Sequence, residues 1–230
     1  ATMELALFAL LIAVVIGIPL GMLAGFRPES ITAKTIMSGS ILGFSLPSFW
    51  VGIMMMVLFA VHLGWLPSTG RGPTSEWFGI EVSFTSWKGI SYLLMPAINL
   101  SLFKLALVIR LARAGTREVV HQDYIKFARA KGLSGRRIVL VHVLKNILIP
   151  VVTVLGLEFG GLVAFSIVTE TVFAWPGMGK LLIDSIGMLD RPVIVAYLMI
   201  IVFLFVIINL VVDILYSILD PRVRLGEIRS

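Results

Sequence analysis

The chain contains no cysteine, and that absence alone removes disulfides, thiol nucleophiles and cysteine-ligated metals from consideration. Histidine is nearly as scarce: three in 230 residues, none at HxxxH spacing, so a histidine-based metal centre is not expected. There is no GxxxxGK[ST] phosphate loop, which argues against ATP hydrolysis by this chain itself. Charge is thin as well. Asp, Glu, Lys and Arg make up only 14% of residues, too few to give every helix of a soluble domain a polar face. What fills the space is apolar: 58% hydrophobic residues and a mean hydropathy of +1.02. The net charge of +6 could suit nucleic acid, but its distribution follows membrane topology instead, and no nucleic-acid partner is expected.

Five apolar runs of spanning length emerge, at about 5–25, 36–62, 92–111, 138–168 and 193–219. The first carries Gly17, Gly21 and Gly25 on one helical face, a small-xxx-small row that lets a second backbone approach closely in lipid. Gly156 and Gly160 repeat the device in the fourth. Pro47, amid glycines, interrupts the second run and predicts a kink or close packing along a pathway. Two polar loops, 63–91 and 169–192, separate the second run from the third and the fourth from the fifth. The former holds Trp65, Trp77 and Trp87, as an interfacial aromatic belt would. In the latter, Trp175-Pro176-Gly177 marks a turn.

Orientation follows from Lys and Arg. The links at 26–35, 110–145 and 220–230 hold two, nine and three of them, while the loops at 63–91 and 169–192 hold two each, so the former three are assigned to the cytoplasm. Five spans with a cytoplasmic tail place Ala1 outside. The chain begins without Met or a signal peptide, so a further span upstream is expected, six in the intact subunit.

The stretch 110–145 holds nine of the 19 lysines and arginines. Within it Val120, Tyr124, Phe127 and Ala128 fall on one side of a helix, and Gly132 supplies a stop. The periodicity predicts a short amphipathic helix on a basic cytoplasmic loop at about 113–137, either docked on a partner or lying on anionic lipid.

The sequence DYIKFARAKGLSGRRIVLVHVLKNILIP at 123–150 resembles the cytoplasmic loop of binding-protein-dependent ABC importer permeases, in the form used by the dipeptide/oligopeptide branch. The His, Asn and Pro that follow that branch's core motif fall on His142, Asn146 and Pro150. TETVFAWPGMGKLLIDSI at 169–186 and VDILYSILDPRVRLG at 212–226 resemble the same branch. The broad family's Glu-Ala-Ala falls here on Lys126, Phe127 and Ala128, keeping only the second alanine, which favours the peptide, nickel or glutathione branch over sugar importers.

The resemblance implies an all-α integral membrane bundle, a single permease domain over 1–230. It would form half of a translocation pathway for dipeptides or oligopeptides, in a bacterial or archaeal cytoplasmic membrane. Glutathione and nickel chelates are alternative cargoes. Its partners would be a second permease, two cytoplasmic ATPases that bind ATP and Mg, an extracytoplasmic substrate-binding protein and the surrounding lipid. Tyr124, Ala128, Ala130 and Gly132 would contact an ATPase with Arg129 and Lys131 on the rim, and Ala128→Glu is expected to uncouple transport. Trp175 and Pro176 are candidate contacts for the binding protein.

Three ionisable residues, Lys104, Glu158 and Asp213, lie within apolar runs, where such groups are costly and by default functional. Glu158 is the candidate for lining the pathway, with pairing to a neighbouring span as the competing reading; Lys104 could snorkel to the interface. Asn99, Asn209 and His142 are expected to hydrogen-bond between helices. A secondary transporter driven by an ion gradient is the rival class, although no internal repeat is evident. ATP dependence separates the two.

Overall fold

The computed structural model describes the backbone of residues 1–219 and the side chains of residues 1–212 and Ile214. The Asp213 side chain and residues 220–226 of the third family-like stretch lie outside the described residues. The chain forms α1 (Thr2–Phe26), α2 (Ile31–Ser45) and α3 (Ser48–Met55), the last running on as a π-helix over Met56–His62. A small hairpin, β1 (Ser75–Trp77) and β2 (Ile80–Val82), leads to α4 (Trp87–Val120) and α5 (Asp123–Ala130). Then α6 (Gly135–Arg137) passes through a π-helix, Ile138–Val143, into α7 (Leu144–Val172). The fold closes with α8 (Met178–Gly187) and α9 (Arg191–Leu219).

Among the described residues four helical segments are long and apolar enough to cross a membrane, and α2 with α3 makes a fifth if read as one broken span. The break is local chemistry. Pro47 lacks an N–H and drives Leu46 out of the helical region, to φ −83° and ψ 138°, and the two halves bend by 104°. That the pair crosses, rather than turns back, follows from its ends. Residue 31 leaves the end of α1 at Arg27, whereas just beyond residue 62 Gly70 bonds to Phe173 and Arg71 meets Glu4 at the start of α1.

Two apolar clusters hold the bundle, one towards each end. The one called outer, at the end that the Lys and Arg count assigns outside, contains Leu5, Ala9, Leu93, Leu100, Leu162 and Trp175; the other, called inner, contains Ile18, Met22, Val108, Ala112, Ile125, Val143, Ile147 and Leu155. Their order along α1 and α4 makes those helices parallel neighbours. The glycine row is the reason they sit so close. A Cβ on Gly21 would stand 2.6 Å from both the Ala112 Cβ and the Ile109 carbonyl, and one on Gly25 would stand 2.5 Å from the Thr116 Cβ. In lipid, where the hydrophobic effect does not drive helices together, such approach supplies the dispersion contacts that do. Gly156 and Gly160 do the same for α9, meeting Val212 and Phe205.

Both loops expected to be irregular contain structure. Residues 63–91 hold the hairpin, whose Phe78 and Gly79 both have positive φ, as a tight primed turn requires. Residues 169–192 hold the last turn of α7 and all of α8.

Candidate functional sites along the bundle

At the inner end, the expected amphipathic helix divides differently from its sequence pattern. α4 runs on to Val120, and only after a turn at His121 and Gln122 does α5 begin. Gly132, at φ +76°, ends it with paired reverse bonds: the Gly132 N–H donates to the Arg129 carbonyl and the Leu133 N–H to the Ala128 carbonyl. Ile125 and Ala128 face inward into the inner cluster, while Tyr124 and Phe127 are 44% and 62% exposed. Arg129, Ala130, Lys131 and Gly132 are exposed too, and the Lys131 ammonium lies over the Phe127 ring at 4.7 Å. The correction concerns Ala128. At 6% exposure it is a support under the helix, and Ala128→Glu would bury a charge in the chain's own core rather than test docking.

Of the three motif residues after α5, His142 meets it directly. His142 sits in the π-helix with its ring 6.4 Å from that of Tyr124. The Asn146 amide donates to the His142 carbonyl at 2.6 Å, supplying a donor where the π register gives way to α. Pro150 sits exposed one turn further on, inside α7.

Midway between the two apolar clusters lies a cavity of about 500 Å³ between α4, α7 and the start of α3. Lys104 and Glu158 face each other across it in an ion pair, with side chains 16% and 45% exposed. Lys104 therefore does not snorkel; it has a partner. Arg110 also lines the cavity, its guanidinium 5.8 Å over the Phe44 ring, and Phe103 meets Phe44 edge-on. Asn99 donates to Thr169 across α4 and α7 at 3.2 Å, and its Oδ1 is buried without a partner. Asn209, by contrast, bonds within its own helix, to the Phe205 carbonyl.

At the outer end a polar network ties four segments together. Glu4 on α1 accepts from Arg71 at 2.7 Å and from the Ser83 N–H at 2.6 Å. Arg71 also donates to the Glu81 carbonyl, and its guanidinium lies 5.9 Å from the Trp175 ring centre. Fully buried Glu170 at the end of α7 accepts from Ser166 Oγ and from the Gly179 and Lys180 N–H groups, and so caps the N-terminus of α8. Gly177 has no Cβ because one would stand 2.2 Å from the Glu170 carboxyl carbon. Trp175 is 0% exposed, a core residue of the outer cluster, so it presents nothing to a partner; Pro176 beside it is exposed.

Residues 17–225 match the family described as binding-protein-dependent transport system inner membrane component. The chain belongs to that family. The transport component is 41% identical over 236 residues to the di/tripeptide transport system permease protein DppB of Pseudomonas aeruginosa, across 97% of its own length and 70% of the relative's. It is 37% identical over 239 residues to the dipeptide transport system permease protein DppB of Escherichia coli, again across 97% and 70%. Among solved structures, inward-facing conformations of the MetNI methionine ABC transporter match with a TM-score of 0.72, 20% identity, and coverage of 95% of this chain and 93% of that one. That likeness shows the fold, an all-α, multi-pass bundle, and the family places the chain in the cytoplasmic (inner) membrane.

Sequence reasoning on this transport component missed Glu170 and Arg71. The signal for Glu170 was present, in two glycines seven and nine residues beyond a lone carboxylate in an apolar run. Nothing local marks Arg71, whose partner is 67 residues away.

Proposed function

We propose that this component is one of two permease halves in an ATP-driven importer for dipeptides and other short peptides. The names of its relatives support the cargo, and the family supports dependence on a binding protein. In this reading two cytoplasmic ATPases hold ATP and Mg, and one of them receives α5. The second permease closes the pathway beside the cavity, and the binding protein docks outside, near Pro176.

The observation that carries the reading is the two-sidedness of α5. Ile125 and Ala128 lock it into the inner cluster, while Tyr124, Phe127, Arg129 and Lys131 face outward on the cytoplasmic side. An apolar pair rimmed by cations fits a groove in a partner, and a helix keyed into the core transmits that partner's rigid-body motion to α4 and α7. ATP drives the cycle only through different affinities for the inward and outward states.

The test is Phe127→Glu in the complete complex. The variant should insert normally, yet lose ATP-dependent peptide uptake by more than about tenfold, the scale of removing one aromatic anchor. Uptake at the unsubstituted rate would overturn the role assigned to α5.

A further inference from the structure

The cavity between the two apolar clusters is built unlike the rest of the bundle. It holds Lys104, Glu158 and Arg110 among aromatic and aliphatic walls, together with Asn99. Three of these polar stations run down α4 from its outer to its inner end. Asn99 to Lys104 is five residues and Lys104 to Arg110 six, rises of roughly 7.5 and 9 Å. Glu158 stands at the level of Lys104 because the two are in contact.

We infer that this cavity is a transit site for a zwitterion with free ends: the Glu158 carboxylate takes the cargo's ammonium and Arg110 takes its carboxylate. This rests on the peptide-importer reading above. Two observations carry the assignment. First, charge: the cavity lining carries two cations and one anion, and Arg110 has a ring but no carboxylate against it among the described residues. The spare positive charge sits where a carboxylate would end. Second, length: an extended chain spans roughly 3.3–3.6 Å per residue, so two or three residues bridge the roughly 9 Å from the Lys104–Glu158 level to Arg110.

The Lys104–Glu158 pair would also make the site selective. At rest each charge satisfies the other. An ion of one sign could replace only one partner and would leave the other unpaired, a cost that falls mainly on Lys104, the more buried of the two. A zwitterion lets Glu158 share its carboxylate between Lys104 and the cargo's ammonium while Arg110 takes the cargo's carboxylate, so every charge keeps a partner. The pair is thus a seal that opens to cargo carrying both charges.

The experiment uses the assembled importer in proteoliposomes, with its binding protein and alanyl-alanine as probe. Glu158→Gln and Arg110→Gln should each lower uptake about tenfold, the scale of one charge-assisted contact, with ATPase stimulation by the loaded binding protein retained. Because Glu158→Gln strands the Lys104 charge, the double variant Lys104→Gln/Glu158→Gln is the decisive control. It removes the pair without an unpaired ion, so a purely structural pair predicts recovered uptake. The transit site predicts uptake still about tenfold down. Recovery in the double variant, or Arg110→Gln at the unsubstituted rate, overturns this site while leaving the importer reading intact. An unsubstituted complex that takes up no peptide with ATP overturns the peptide reading, and the site falls with it.

Discussion

The two ends of this bundle are held by different kinds of force. The outer end is closed by directed polar contacts: Glu4 with Arg71 and Ser83, and Glu170 with Ser166, Gly179 and Lys180, around a buried Trp175. The inner end has little of this. There α5 is held by two apolar side chains and a glycine turn, and its other face is left open. Directed networks are rigid and costly to break in part, whereas an apolar seat lets a helix be pulled without stranding a charge. A stiff outer rim and a lever-like inner helix suit a machine driven from inside.

If that contrast is right, substitutions at the outer rim should cost stability and those at the inner helix should cost coupling. The largest loss is expected at Glu170→Ala, which leaves the Gly179 and Lys180 N–H groups without their acceptor and empties a fully buried position, roughly 3–5 kcal/mol, although the Ser166 hydroxyl keeps the Val163 carbonyl. Thermal unfolding in detergent should show a markedly lower Tm or no folded protein. Next is Gly21→Val, whose added atoms would collide with the Ile109 carbonyl and the Ala112 Cβ and push α1 off α4; about 2–3 kcal/mol is expected by the same assay. Gly132→Ala should cost about 1 kcal/mol, because no atom lies near its Cβ position and only the left-handed backbone opposes the change. A larger loss there would mean that the inner turn is as rigid as the outer rim.

The smallest effect concerns acid. The hydrogen bond and charge of Lys126 hold the Asp123 carboxyl below its usual value of 3.8. A group lowered on folding stabilises α5 above its unfolded pKa, and the contribution fades as pH falls through the lower folded value. Both side chains face solvent, so the fading should be slight and salt-sensitive. Carboxyl NMR titration of Asp123 beside a Lys126→Ala variant checks it: the midpoint should rise on substitution.

How much was legible in the chain depended on sequence distance. The glycine row of α1, the stop at Gly132 and the break at Pro47 each announce themselves within a few residues, because sterics or a missing N–H act locally. The five runs followed from hydropathy. Contacts far apart in sequence were not legible: Lys104 and Glu158 are 54 residues apart, and nothing beside either names the other. α8 was hidden inside an expected loop because its start is set by Glu170 on the preceding helix rather than by a cap of its own. Trp175 misled for a related reason. Its Pro-Gly neighbours mark a turn, and turns are usually exposed, but this one folds back over the outer cluster. On α5, the pattern Tyr124, Phe127, Ala128 identified an apolar helix but mixed its two faces, since Ile125 rather than Tyr124 shares the buried side with Ala128.

The most direct test of the outward face of α5 exploits the absence of cysteine in this chain. Single cysteines at Phe127 and Ile125 would be introduced into the assembled complex and treated with a short bifunctional reagent. Phe127→Cys should form a covalent adduct with an ATPase subunit, in a yield that changes with ATP, and Ile125→Cys should not. Labelling of Phe127→Cys by lipid-soluble reagents with no ATPase adduct in any nucleotide state would place this face on the membrane surface and contradict the account.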